Sequence, residues 1–162
     1  MKDKLNLGSG EDYIEGWLNV DCRDNVKKDL KVDLNKFPYP FKKNTFNVVV
    51  MKMILEHVSD PIRLLREIVK SCKNKAKIII TVPHAISYAN ISDIQHKNNF
   101  TENSFIDDTI REYELEELKL IRKEFIFKNK WKKYVPFKKY LKIYLNGMYD
   151  DIYFEFKVNK KS

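Results

Sequence analysis

The chain has 162 residues, 43% of them apolar and 33% charged, which suits one domain with its own core and excludes a disordered chain. Its 31 Lys and Arg outnumber 23 Asp and Glu, a net charge of +8 that favours anionic partners. Two cysteines, with neither a CxxC pair nor Cys/His ligand spacing, exclude a disulfide scaffold, and no apolar run approaches the roughly 20 residues that span a bilayer, so a cytoplasmic protein with reduced thiols is expected.

The first predicted strand runs from Lys4 to Leu7 and enters Gly8-Ser9-Gly10. Trp17 to Val20 forms a second, closed by Asp21. Only Ser9 to Gly16 separate the two, so a single helical turn is expected as the crossover where a dozen residues are usual. Leu30, Val32 and Leu34 alternate as a third strand with Asp33 near its end. A proline-stiffened loop, Phe37 to Phe41, follows. Phe46 to Met51 is a β-branched run of the kind buried on both sheet faces. Asp60-Pro61 opens the best helix: Asp60 caps it, Pro61 suits its first position, and Ile62, Leu65, Ile68, Val69 and Cys72 share a face. Ala76 to Val82 is another central strand, ended by Pro83. A polar loop from His84 to Phe105 follows. Partial helix is expected over Glu112 to Leu120, then strands over Leu120 to Lys128 and Ile152 to Val158, paired antiparallel. The pattern predicts an α/β domain: a Rossmann-like, mostly parallel seven-stranded sheet with helices on both faces and a C-terminal antiparallel hairpin. All of 1–162 reads as one domain, with a cofactor-binding core in 1–105 and the hairpin in 106–162.

In an open parallel sheet, ligands bind beyond the carboxyl ends of the strands. Gly8-Ser9-Gly10, Asp21 and Asp33 all fall at such ends. A tight glycine turn offers backbone N–H groups to a ligand, a carboxylate after the second strand suits two ribose hydroxyls, and another further on suits an adenine amino group. An adenosine-containing ligand follows. Tyr13 stands where a dinucleotide fingerprint wants its third glycine, and Asp21 comes too early for that fingerprint. No phosphate-binding P-loop is present.

Leu5-Asn6-Leu7-Gly8-Ser9-Gly10, Gly16-Trp17-Leu18-Asn19-Val20-Asp21, Asp33-Leu34-Asn35, Ile54-Leu55-Glu56-His57-Val58 and Val82-Pro83-His84 together resemble the small class I S-adenosylmethionine-dependent methyltransferases, in particular the compact type 11 families. The resemblance covers about Lys4 to Phe105. It implies S-adenosyl-L-methionine as cofactor. Gly8, Ser9 and Gly10 would pass under its methionine part, Asp21 would take the ribose hydroxyls, and Cys22 would line the adenine slot. Asp33 and Leu34 would meet the adenine edge, and the backbone at Lys52 and Met53 the amino-acid end. The lid helix that many relatives place before the first strand has no counterpart ahead of Leu5, so a homodimer or a partner chain completing the site is expected.

Methyl transfer is an in-line displacement that benefits from a base at the acceptor. His84 at a strand end, and Asp93 with His96 in the loop beyond it, are the catalytic candidates. In one reading either His is the base and Asp93 orients it. In the other, Asp93 and His96 pin the loop and His84 caps a strand. A metal held by His84, Asp93 and His96 is a sharper, less favoured idea. His57 is expected to orient the loop after the fourth strand. The acceptor this chemistry suggests is the hydroxyl of a small molecule or glycan, with RNA as the alternative, and a non-catalytic partner subunit is the competing class.

Between Lys128 and Tyr144, Trp131, Tyr134, Phe137 and Tyr140 recur every third residue among lysines. They form either a surface whose aromatics stack on bases or sugars, or sit at a membrane interface, while lysines meet phosphates, or the buried stripe of an amphipathic cover.

Overall fold

A computed structural model describes residues 2–141 and 147–160. Its elements, in chain order, are β1 (Lys4–Leu7), β2 (Leu18–Asp21), β3 (Leu30–Lys31), β4 (Phe46–Lys52), α1 (Pro61–Ser71), β5 (Cys72–Pro83), α2 (Tyr88–Ser92), α3 (Asp107–Glu112), β6 (Leu118–Ile126), α4 (Lys138–Leu141) and β7 (Asp151–Val158). A 3-10 turn spans Lys130–Tyr134. The strands form one seven-stranded sheet in the order β3-β2-β1-β4-β5-β7-β6. β1 to β5 pair parallel, and β7 pairs antiparallel with both β5 and β6. The order reverses at β1, between β2 and β4.

Residues in register across a sheet project to the same side. Leu7, Met51, Ile80 and Phe154 form one such row, and Leu5, Val49, Ile78 and Phe156 another; all eight are fully buried. Helix α1 packs here through Leu64, Leu65, Ile68 and Val69, and Phe105 meets both Phe154 and Phe156 edge-on. Asp60 caps α1 as expected, its Oδ1 accepting from Arg63 N–H at 2.8 Å.

The opposite face departs from expectation. Val48, Val50, Ile79, Thr81 and Tyr153 are only half-buried, and Lys77 and Lys157 are exposed. β4 and β5 are therefore buried on one face, not two. The expected architecture is otherwise present: a mostly parallel seven-stranded sheet with its antiparallel C-terminal pair and its helices. The β-branched run reflects strand propensity here rather than two-sided burial.

The crossover from β1 to β2 also differs. It contains turns and no helical turn. Polar groups hold it instead. Buried Asn19 donates to the Ile14 and Trp17 carbonyls and accepts from Ile14 N–H, while Asn6 donates to the Asp12 carbonyl and to Asn19. Asp29 anchors the network, accepting from Asn19 N–H at 2.7 Å, Lys2 at 2.9 Å and the Tyr13 hydroxyl at 3.1 Å. Burial alone would push the Asp29 carboxyl up; these donors outweigh it and hold it well below the usual carboxylate range. A group depressed in the folded state stabilises above its unfolded pKa and loses that stabilisation as pH falls through its folded value. Asp29→Asn is accordingly expected to lower stability by about 1–2 kcal/mol near neutrality. The gap from wild type should narrow as pH drops below about 4, which urea midpoints measured across pH would show. A constant gap would rule out the ionised carboxylate as the anchor.

Two further boundaries move. β3 has two residues, and the last tie to β2 is the Val32 N–H on the Asp21 carbonyl. The helix expected over Glu112 to Leu120 lies earlier, as α3, and ends where Glu114 takes a left-handed conformation (φ +53°), which frees Leu118 to start β6.

Candidate active site

A cavity of about 1260 Å³ opens beyond the carboxyl ends of β1, β2 and β4. It exceeds the 300–1,000 Å³ or so typical of a single small ligand and has room for two. All nine residues that the sequence resemblance associates with a cofactor line it: Gly8, Ser9, Gly10, Asp21, Cys22, Asp33, Leu34, Lys52 and Met53.

The local backbone explains why these residue types sit here. Gly8 has φ +68°, and a Cβ there would run into the Ile54 side chain, so both conformation and space demand glycine. Gly10 N–H donates to Asp21 Oδ2 at 2.8 Å, linking the glycine turn to the end of β2. Asp21 Oδ1 accepts from the backbone N–H and Nε of Arg23 at 2.9 and 3.2 Å. Burial pushes the Asp21 carboxyl up, but the N–H groups of Arg23 and Gly10 and the Arg23 guanidinium more than reverse this, so it stays ionised below the usual range. Three donors leave part of the carboxylate's acceptor capacity free toward the cavity. Ser9 Oγ, buried in the same wall, has no hydrogen-bond partner. Met53 adopts φ +54°, uncommon for a non-glycine residue, and its N–H bonds the Thr81 carbonyl at 2.8 Å. The cavity floor therefore holds its backbone in an unusual shape, of a kind that clusters at ligand sites. Across the mouth, Lys52 pairs with Asp12 at 2.6 Å.

The three catalytic candidates do not come together. His84 is buried and lies outside the cavity lining, with Nε2 3.2 Å from Glu102 and its ring against Tyr149 and Phe125. It bridges β5 to the hairpin and to Phe100, so its assignment as a base reached by the acceptor is corrected, and so is a metal held by His84, Asp93 and His96. Asp93 and His96 do meet, Oδ2 standing 3.5 Å from Nε2. His96 lies against His57, ring centroids 4.7 Å apart, and His57 lines the cavity. Burial and the adjacent His96 push the His57 imidazole down, and burial pushes the Glu56 carboxyl up to about 7. Glu56 carries no assignment from the sequence and His57 only that of orienting the loop; their adjacency, in the turn that follows β4, is the available signal.

The aromatic segment is not a buried cover. Trp131, Tyr134, Phe137 and Tyr140 are all 63–80% exposed. Lys132 and Lys128 pair with Asp150 and Asp151. Lys142 and Tyr144, which extend this stretch in sequence, lie outside the described residues. Cys72 is buried with its thiol pushed up to about 12, and Cys22 is exposed. No described helix is long and apolar enough to cross a membrane.

Residues 10–129 match the family described as methyltransferase domain. The chain belongs to that family. Among solved structures, the methyltransferase domain resembles a SAM-dependent methyltransferase from Archaeoglobus fulgidus (TM-score 0.67, 18% identity, covering 95% of this chain and 85% of that one). It also resembles a complex between the Haloferax volcanii Trm112 methyltransferase activator and a protein assigned as a methyltransferase (TM-score 0.65, 13% identity, 97% and 82% coverage). In sequence it is 39% identical over 70 residues to the uncharacterized protein MJ0638 of Methanocaldococcus jannaschii, a match that takes in 43% of this chain and 30% of that relative. The methyltransferase domain thus aligns with less than a third of that protein's length.

Proposed function

We propose that this chain is an S-adenosylmethionine-dependent methyltransferase acting on a hydroxyl of a small-molecule or glycan acceptor. The observation that carries the reading is one cavity that joins the glycine turn, Asp21 and Asp33 to a wall bearing His57. The residues present fit the cofactor: ionised Asp21 keeps acceptor capacity for ribose hydroxyls, and the orphaned Ser9 Oγ offers a polar contact by the glycine turn. S-adenosylmethionine, when bound, supplies a methyl group made electrophilic by the sulfonium.

The chain's own part is placement and proton handling. Gly8 and Gly10 keep side chains out of the space beneath the ligand. Asp33 and Leu34 border the adenine side, and the left-handed Met53 presents backbone to the amino-acid end. The acceptor enters on the His57 side, and its proton leaves through the imidazole wall, where Asp93 stands beside His96. The cytoplasm is the proposed compartment. A partner chain that completes the cavity belongs to this reading, supported by the solved complex in which a similarly folded protein sits with a methyltransferase activator.

A second acceptor class, RNA, is favoured by the exposed aromatics Trp131, Tyr134, Phe137 and Tyr140, whose stacking surface is open to solvent. The test is transfer of labelled methyl from S-adenosylmethionine to panels of hydroxyl acceptors and of RNA, with the wild-type chain and Asp93→Asn. Transfer to a hydroxyl compound that falls at least about 100-fold in Asp93→Asn, within the range of general-base effects, supports the first reading. Transfer to RNA that weakens steeply with salt supports the second. Cofactor binding with no transfer to either panel would leave the partner-subunit role.

A further inference from the structure

We propose that Glu56, His57 and His96 form a binding site for one divalent transition-metal ion, of the zinc or iron(II) class, in the wall of the cavity. One ligand atom from each lies within 4.8 Å of the others. Metal–ligand bonds of about 2.0–2.2 Å would draw them together by roughly 1 Å, within reach of side-chain rotation. Two imidazoles and one carboxylate on one side of an ion leave positions open on the other. His57 belongs both to this cluster and to the cavity lining, so an ion here would border the cavity.

Three independent features support a cation here. Glu56 is 1% exposed, and its Oε2 has no hydrogen-bond partner. A buried, unpartnered carboxylate oxygen is costly without a compensating cation. The side-chain charges that act most on Glu56, those of Asp151 and Asp93, are both negative and would be offset by a cation.

The histidines are also held in ligand form. Asn90 donates its amide hydrogens to the Ala85 carbonyl and to Asn99 Oδ1, at 3.1 and 2.7 Å. That turns Asn90 Oδ1 toward His96 Nδ1, 3.2 Å away, an acceptor that favours the hydrogen on Nδ1. His57 likewise hydrogen-bonds the Gln95 backbone through its ring. An imidazole oriented by a carbonyl through one nitrogen and free at the other is the usual arrangement of a metal-binding histidine.

The loop carrying His96 is fastened to the turn carrying Glu56 and His57. Lys97 and Asn98 N–H groups both donate to the Glu56 carbonyl, and Asn98 Nδ2 donates to the Leu55 and Val58 carbonyls at 2.9 and 2.7 Å. The donor set is therefore assembled before an ion arrives. Asp93, 3.5 Å from His96 Nε2, stands at its rim. Resting on the methyltransferase reading above, an ion here would bind the acceptor hydroxyl and lower its pKa, its proton passing to Asp93 and the oxygen attacking the methyl as the sulfonium bond breaks.

The test is titration of the chelator-treated full chain with Co²⁺, followed by its visible ligand-field absorption, and then competition with Zn²⁺. One equivalent should bind. Glu56→Gln and His96→Ala should each weaken binding at least about 100-fold, and Asn90→Ala about 10–100-fold. Because His96→Ala removes packing, the isosteric Glu56→Gln, with an unchanged melting curve, decides the matter if the other variant fails to fold. No binding, or binding that survives Glu56→Gln but is lost in Cys22→Ser, overturns the proposal. S-adenosylmethionine titrations on the same samples keep the two readings apart: cofactor binding without metal binding removes the ion and leaves the methyltransferase.

Discussion

Asp21→Ala should raise the Kd for S-adenosylmethionine at least about 100-fold in calorimetric titration, the largest effect expected of any single change in the cavity. Each hydrogen bond to a charged acceptor contributes about 1.5–3 kcal/mol, and a ribose offers two. The carboxylate also fixes the turn, because Gly10 N–H and Arg23 both rest on it. Asp21→Asn keeps one oxygen for Gly10 but removes the charge, so a smaller loss, on the order of tenfold, is expected. Since the Asp21 carboxyl lies below the usual range, cofactor affinity should be flat from about pH 5 upward. Binding by Asp21→Ala at wild-type affinity would remove the ribose assignment and, with it, the proposed orientation of the ligand.

Phe154→Ala should lower unfolding free energy by about 3–5 kcal/mol, a large part of the roughly 5–15 kcal/mol that a domain of this kind possesses. Phe154 is fully buried in the middle of β7, in register with Ile80 and edge-on to Phe105 at 5.0 Å. It joins the hairpin to the parallel sheet and to the chain before α3, so the cavity left behind cannot be closed by one neighbour. Phe137→Ala should change stability by less than about 0.5 kcal/mol, since that ring is 76% exposed. Urea unfolding of both variants, read as midpoints at constant slope, measures the contrast. Equal effects would mean that the aromatic segment packs onto the domain in solution.

The parts of this fold that were legible in sequence are those set by local signals. The glycine turn, the Asp60-Pro61 helix start and the alternation of Ile152, Phe154, Phe156 and Val158 each act within a few residues, and each element sits where they place it. Non-local balance was not legible. The run Val48-Val49-Val50 says that a strand forms but not whether anything covers its second face. The helix-free crossover depends on Asn19 and Asp29, ten residues apart, whose types alone suggest ordinary turn residues. The ends of the parallel strands named the cavity wall in advance, because topology forces them together. The catalytic candidates lay in loops, whose paths no periodicity encodes, and His84 turned inward to Glu102 while His57 took the place at the wall.

The position of β7 has a consequence for how the chain is made. β7 lies between β5 and β6, both of which precede it in sequence. While residues 151–158 are still within the ribosome, β5 has an open edge and Ile78 and Ile80 lack Phe156 and Phe154. The emerged parallel half then offers an unpaired, apolar strand edge, the feature that invites wrong pairing. Closure of the sheet therefore follows synthesis of β7 rather than accompanying that of β1 to β5, and a nascent chain stalled before Asp151 should require a holding chaperone to stay in solution.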